Sequence, residues 1–574
     1  MSDDPADRGA EIRALIQGGS LDEAEAMLAH AGSVLSVADR LALEGMVAWC
    51  RRDLARAVER LETSLGATPT YHAATLLASI HLSTGDAGAA RGPLATALRF
   101  RPESSALRTA HRKLQSRETA PVRPPLHVEG TVRPLSIWFC QPKSIPYDGR
   151  TPRERPLGGT ESAVVYLTEA LVALGQDVRV YNTTCEPVSV EGVEYRSWTD
   201  ARADAVLDPP DVLVAIRDWS LIGATRFAPL QILWTGDAPD QPAAKGLAEA
   251  ANRESIDLFA FGSQWQVEAF CSAAGLPVWR TVRIGLGFAP MMIPDEPLAD
   301  RKSRLVYAST PFRGLELLLD WFPRIRESCP EAELRVFSSM RVYGMAEAED
   351  RQLYGHLYEK ACQPGVELLG SVAQPGLARE YRRARLLAYP NVWPETFCVT
   401  VAEAQAAGCP VVTSTLGALP ETVGAGGICI PGDPRADTGF RDRFIEEIVG
   451  LLRHRDRWEA LSTAAKRGAE ARFSYEVVAG RWLETCRLAL TGEDPLVVRV
   501  AHHVRNGRAA LASRMLEKEG RPSTMTAPAW DWLREFTAWM SDRTSVAPGH
   551  WERATAMLGP IRRLPGFDAW AGLA

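Results

Sequence analysis

Residues 393–412 read Trp393-Pro394-Glu395-Thr396-Phe397-Cys398-Val399-Thr400-Val401-Ala402-Glu403-Ala404-Gln405-Ala406-Ala407-Gly408-Cys409-Pro410-Val411-Val412. Few local structures accept this order. Pro390 and Pro394 mark a loop after a hydrophobic run that ends near Tyr389. The small-residue stretch that follows predicts a helix starting at Val399 or Thr400. A Gly-Cys-Pro turn stops it, and the β-branched pair Val411-Val412 starts a strand. Strand, loop, helix, strand is the repeating unit of a parallel sheet with helical crossovers.

The surrounding chain carries the same alternation. Before this run, β-rich segments lie at Ser136–Phe139, Val178–Tyr181, Val212–Ala215, Leu230–Trp234 and Leu258–Phe261. A second series follows at Arg304–Ala308, Leu334–Phe337, Val366–Leu369, Leu386–Tyr389, Val411–Thr413 and Ile428–Ile430. Two Rossmann-like domains facing a ligand cleft are expected, over residues 135–295 and 303–475. A terminal amphipathic helix over 476–490 crosses between them, and residues 491–574 are helical in pattern. The first 117 residues differ. Ala24, Ala57 and Ala90 recur at a step of 33, as do Leu28, Leu61 and Leu94, while Pro69 and Pro102 keep the same step. Small residues let paired helices cross closely, and each proline ends the second helix of a pair. An α-solenoid follows, joined through a proline-rich linker over 118–134.

With 574 residues the chain exceeds a single core. Its net charge of -6, from 65 basic and 71 acidic residues, makes nucleic acid an unlikely partner. The ten cysteines show no metal-ligand spacing, which predicts free thiols in a reducing, cytoplasmic setting. No segment reaches the length of a membrane span; peripheral membrane contact stays open.

Glu395 and Glu403 stand eight positions apart. Eight residues of continuous helix span about 12 Å, the scale of a sugar nucleotide rather than of an acid–base pair. Glu395 before the helix would point at a sugar, and Glu403 within it at ribose hydroxyls. The amides of Thr396, Phe397 and Cys398 at the helix start suit a diphosphate. Ala308-Ser309-Thr310-Pro311-Phe312-Arg313-Gly314 follows a strand and opens a helix; Arg313 suits phosphate, and the hydroxyls of Ser309 and Thr310 can assist. In Gly158-Gly159-Thr160, paired glycines admit a close backbone approach and Thr160 is placed to cap the next helix. Asp237, Asp218 and Gly262–Gln266 sit past strand ends, where parallel sheets hold ligands.

The stretch Arg304–Pro434 resembles the C-terminal domain of retaining GT-B glycosyltransferases of family 4, which carry the E-x7-E pair. Gly417-Ala418-Leu419-Pro420-Glu421 matches a turn of that family. The first 117 residues resemble degenerate tetratricopeptide repeats. The resemblance implies a GT-B fold and a nucleoside diphosphate sugar, UDP or GDP type, as donor, with no other cofactor and no metal. It implies transfer with retention to a protein or glycan acceptor. It places Glu395 on the donor sugar, Glu403 on the ribose, Arg313 on the diphosphate, Gly158 and Gly159 across the cleft, and Val372 beside the base. Two departures stand out. A basic residue common in the family is Ala308 here, and no histidine lies between His127 and His356; Asp237 is the candidate for the missing histidine's place. Two other readings remain at this level: an interaction scaffold whose GT-B half has lost activity, and a nucleotide-sugar epimerase. The repeats point to a protein or peptide partner.

Overall fold

The computed structural model describes residues 5–490, except 19, 32–33, 52, 84–86, 103–106, 109–110, 112–126, 129–130, 185, 202–203, 206–207, 223–225, 278–279 and 294–300; beyond 490 it describes 509–519, 534 and 537. Most of the linker over 118–134 and of the helical pattern over 491–574 lies outside the described residues. Tertiary contacts divide the chain into two compact units, residues 1–148 with 175–231 and residues 149–174 with 232–574.

The first unit opens with three helical hairpins: Pro5–Gly18 with Leu21–His30, Val37–Cys50 with Leu54–Ala67, and Tyr71–Ser83 with Ala87–Phe100. Their repeated small and apolar positions face inward. Ala24, Ala57, Ala90, Leu61 and Leu94 are fully buried. A β-carbon on Gly45 would come within 2.8 Å of Leu61, so glycine sets how closely the second pair crosses. Pro69 and Pro102 each follow a helix end, as the spacing predicts.

The same unit holds parallel strands in the order Val212–Ile216, Ser136–Cys140, Asp177–Asn182, Val193–Ser197, with Val188–Val190 antiparallel at the edge. The first three are the buried apolar runs read from sequence. The last two escape that reading because they alternate polar and apolar residues around Glu191 and Gly192, both at positive φ. That is the signature of a short half-exposed hairpin.

In the second unit the strands Leu230–Trp234, Leu258–Phe261 and Thr281–Arg283 run parallel. Helix Gly159–Ala173 packs against helix Tyr475–Leu490, with Tyr166 and Tyr475 rings 5.8 Å apart. Trp482 of the latter meets Trp234 edge-on at 5.5 Å. A six-stranded parallel sheet follows, in the order Val366–Leu368, Glu333–Phe337, Arg304–Ala308, Leu386–Tyr389, Val411–Ser414, Gly427–Ile430. Numbered along the chain this is 3-2-1-4-5-6, the doubly wound arrangement. Its winding reverses between strands Arg304–Ala308 and Leu386–Tyr389, and crevices open past the carboxyl ends of strands at such a reversal. Leu305, Val306, Leu386, Leu387 and Ala388 are buried, so the two strands are held rigidly.

Candidate functional site

The chain leaves the two switch-point strands through short loops, and these hold the candidate residues Ser309, Thr310, Arg313 and Glu395. From strand Arg304–Ala308 it passes Ser309 and Thr310 into a single helical turn, Pro311–Arg313. Gly314 then takes φ +106°, a conformation that a β-carbon resists, and helix Leu315–Ser328 begins. Arg313 therefore precedes the helix. From strand Leu386–Tyr389 the chain passes Pro390–Pro394 to Glu395, and helix Val399–Ala406 starts where the small-residue run predicts. Glu395 lies outside that helix, so a continuous helical spacer between the two glutamates is not what forms. Cys398 at the N-cap has φ +75°, unusual for a side chain with a β-carbon. A non-glycine residue held there stores strain of about 1–3 kcal/mol, which the packed surroundings sustain.

The two loops meet. Arg313 Nη1 donates to Glu395 Oε1 at 2.8 Å, and the Tyr389 hydroxyl donates to the same oxygen at 2.6 Å. Ser309 Oγ and the Tyr389 hydroxyl lie 3.3 Å apart. Burial alone would lower the Arg313 pKa; the Glu395 carboxylate and then Tyr389 outweigh it, and the guanidinium is held more firmly charged than usual. Arg313 Nε and Thr310 Oγ1 are buried and have no hydrogen-bond partner among the described residues. Ala308 brings no charge to the strand end; its carbonyl accepts from Thr400 Oγ1 at 2.9 Å.

Glu403 is buried on the helix and accepts from Gln374 Nε2 at 2.8 Å. Burial pushes its carboxyl from 4.5 up to about 8, against a hydrogen bond from the Ala289 amide. Val372 lies two residues before Gln374 in the loop after strand Val366–Leu368, where Ser371 and Ser339 hydroxyls are 2.5 Å apart.

Other loops of the second unit close around the start of helix Val399–Ala406. Thr396 Oγ1 donates to the Gly236 carbonyl at 2.6 Å. A β-carbon on Gly236 would lie 3.6 Å from Thr160, one on Gly159 3.9 Å from Val399, and one on Gly158 3.6 Å from the Tyr343 ring. These are ordinary van der Waals separations, so the loop touches its neighbours without glycine being required by them. Thr160 does not cap its helix: Gly158 occupies the N-cap, with no side-chain cap bond, and Thr160 falls in the first turn. The side chain of Phe397 packs edge-on against Phe473 and over Gly262, so it is buried in packing.

Asp237 sits beside Gly236 with its backbone fixed. Its amide donates to Thr235 Oγ1 at 3.0 Å, and its carbonyl accepts from Gln266 Nε2 at 2.7 Å. Glu421 receives the amides of Gln264 at 2.9 Å and Trp265 at 2.7 Å. These two open helix Gln264–Ala274, so the carboxylate caps the helix from outside. Tyr389, Gln374 and Thr400 are the participants that sequence reasoning missed. Gln374 and Thr400 are brought to their partners only by the sheet, while Tyr389 reaches Glu395 six residues on through the fold of the loop between them. Among the described residues, no group of three or more histidine, cysteine, aspartate or glutamate side chains is placed to hold a metal ion. No described helix is long and apolar enough to cross a membrane.

Residues 303–453 match the family model of the glycosyl transferases group 1. Over 387 residues the chain is 26% identical to a phosphatidyl-myo-inositol mannosyltransferase of Mycobacterium leprae, a match covering 59% of this chain and 96% of that protein. It is 27% identical over 251 residues to a GDP-mannose-dependent monoacylated alpha-(1-6)-phosphatidylinositol monomannoside mannosyltransferase of Corynebacterium glutamicum, covering 39% and 61% respectively. Among solved structures, sucrose-phosphate synthase from Thermosynechococcus elongatus aligns with a TM-score of 0.48 at 17% identity, over 62% of this chain and 100% of that one.

Proposed function

Because this chain belongs to the glycosyl transferases group 1, and so acts on a nucleotide sugar, we propose that it moves a hexosyl group from a nucleoside diphosphate hexose to a hydroxyl acceptor with retention of configuration. The observation that carries this reading is the junction of Arg313 with Glu395 at 2.8 Å, at the point where the winding of the sheet reverses. A diphosphate entering there finds a guanidinium with its charge enforced and the unpaired amides at the start of helix Val399–Ala406.

In this reading the diphosphate draws Arg313 from Glu395, and Glu395 takes sugar hydroxyls in exchange. Glu403, oriented by Gln374, accepts from the ribose, and Val372 borders the base. Ser309 and Thr310 add hydroxyls to the phosphates. The loop Gly158–Thr160 closes on the donor, with Asp237 beside the sugar in the place where relatives of this architecture use a histidine. The bond from the anomeric carbon to the leaving phosphate oxygen breaks as the acceptor oxygen bonds on the same face. The acceptor proton passes to that phosphate oxygen, so no separate base is required. Stabilisation of charge on the leaving diphosphate by Arg313 and the helix amides supplies the acceleration.

The relatives' names point to mannose, so GDP-mannose is the first donor to test, with UDP-glucose beside it. The helical hairpins favour a polypeptide acceptor or carrier. Thermal shift with each donor, on the wild type and on Arg313→Ala, tests the assignment. A donor-specific rise in the wild type that is lost in the variant supports it. Equal rises in both proteins contradict it. A rise without turnover on any acceptor or on water would favour a binding scaffold instead.

A further inference from the structure

A cavity of about 330 Å³ lies within the first unit; Arg313, Glu395 and Glu403 are not in its lining, and Asp218, noted above past a strand end, is. Met46, Trp49 and Leu76 of the helical hairpins line it, together with Phe227 beyond strand Val212–Ile216. It borders the carboxyl ends of two parallel strands, through Cys140 at the end of one and Asp218 just past the other. Parallel sheets take ligands at such strand ends, and the volume falls within the range of ligand sites.

Two polar groups in its lining are left without a partner. The Trp198 indole N–H is buried and donates to no atom among the described residues. Asp200 makes no hydrogen bond or ion pair among the described residues. Burial pushes its carboxyl from 3.8 up to about 7, with Asp204 adding to the effect and Arg101 and Arg196 opposing it. Asp200 is half-buried, and a carboxylate there gains from a cation brought beside it. The other basic groups in the lining do not supply one. Lys143 pairs with Asp218 at 3.2 Å. Burial, followed by Arg13 and Arg101, lowers the pKa of His72 and keeps it neutral.

We propose that this cavity docks a polypeptide segment in which a large apolar residue stands next to a lysine or arginine. The apolar side chain enters between Met46, Trp49, Leu76 and Phe227. A backbone carbonyl beside it accepts from the Trp198 indole, and the cation forms with Asp200 the direct ion pair that no described residue makes. A polypeptide fits better than a small amine because one wall is a helical hairpin array, a surface that characteristically binds extended chains. Docking of this kind is read by binding alone and does not depend on the transfer reaction.

The test uses the full chain and an array of acetylated, amidated pentadecapeptides of serine and glycine. Each carries one leucine or phenylalanine beside lysine, glutamine or glutamate; control peptides carry the lysine without the apolar residue. The wild type is expected to retain the apolar–lysine peptides about tenfold more strongly than their glutamate counterparts, and the lysine-only controls weakly. Asp200→Asn keeps the cavity's shape and removes a desolvated charge, so its Tm should stay level or rise while the preference for lysine disappears. Trp198→Phe should weaken every apolar peptide to a similar degree. Failure of the wild type to retain any apolar–lysine peptide would overturn the docking assignment. So would an unchanged lysine preference in Asp200→Asn, or equal retention of the lysine-only controls.

Discussion

Arg313 and Glu395 hold each other at 2.8 Å, and that mutual hold shapes what substitution does. Removing Arg313 takes away the cation proposed for the diphosphate and leaves Glu395 and Tyr389 buried without it. Arg313→Ala is expected to lower kcat by about 100- to 1000-fold. Arg313→Lys keeps the charge but loses the planar fork, so an intermediate rate is expected. Steady-state donor hydrolysis reads both, and a lysine variant slower than the alanine variant would count against the phosphate role. Glu403 makes a prediction in pH. Its carboxyl is raised in the folded protein from 4.5 to about 8 by burial. A group raised in this way contributes stability that is complete below its unfolded value and lost as pH climbs through the folded one. The wild type should therefore lose Tm relative to Glu403→Gln between about pH 5 and about pH 8.5. The underlying change is about 1.4 kcal/mol for each unit of raised pKa. Scanning fluorimetry across that range checks it, and a gap that does not move with pH contradicts it.

At the scale of elements, the loop geometry depends on a few backbone positions. Gly314 has φ +106°, and a β-carbon there would collide with the Pro390 carbonyl oxygen. Gly314→Ala is expected to cost about 2–4 kcal/mol and to disturb Arg313, its neighbour in the chain. A denaturation midpoint unchanged from the wild type would show that the turn is not constrained as described. Glu421 caps helix Gln264–Ala274 through two amides. Glu421→Ala should cost about 0.5–2 kcal/mol, and Glu421→Gln should recover part because its amide oxygen still accepts. Chemical denaturation ranks the three proteins, and a glutamine variant no better than alanine would argue against capping. The start of helix Val399–Ala406 was legible because composition and turn residues act locally. The placing of Thr160 was not: a threonine after two glycines reads as a cap, but the helix is entered two residues earlier, at Gly158. The bond between Gln374 and Glu403 spans 29 residues and exists only once strands order the loops, so no local pattern encodes it.

At the scale of the whole molecule, the alternation of β-rich runs and amphipathic stretches was enough to read the parallel sheets, since buried strands and crossover helices repeat on a fixed rhythm. The 33-residue step did the same for the hairpins, where Gly45 and Ala57 set the helix crossing. Strand order was not legible, because pairing depends on which strands become neighbours rather than on their sequence. It is the 3-2-1-4-5-6 order that carries Arg313 and Glu395, 82 residues apart, to one crevice. The central claim is that this crevice holds a nucleotide sugar and releases its hexose with retention. Time-resolved proton NMR of GDP-mannose and UDP-glucose hydrolysis reads that directly, with water as the acceptor and before the free sugar mutarotates. The hexose that first appears should have the configuration it had in the donor, and its formation should fall away in Arg313→Ala. Initial release of the opposite anomer, or hydrolysis at an undiminished rate in Arg313→Ala, would contradict the account.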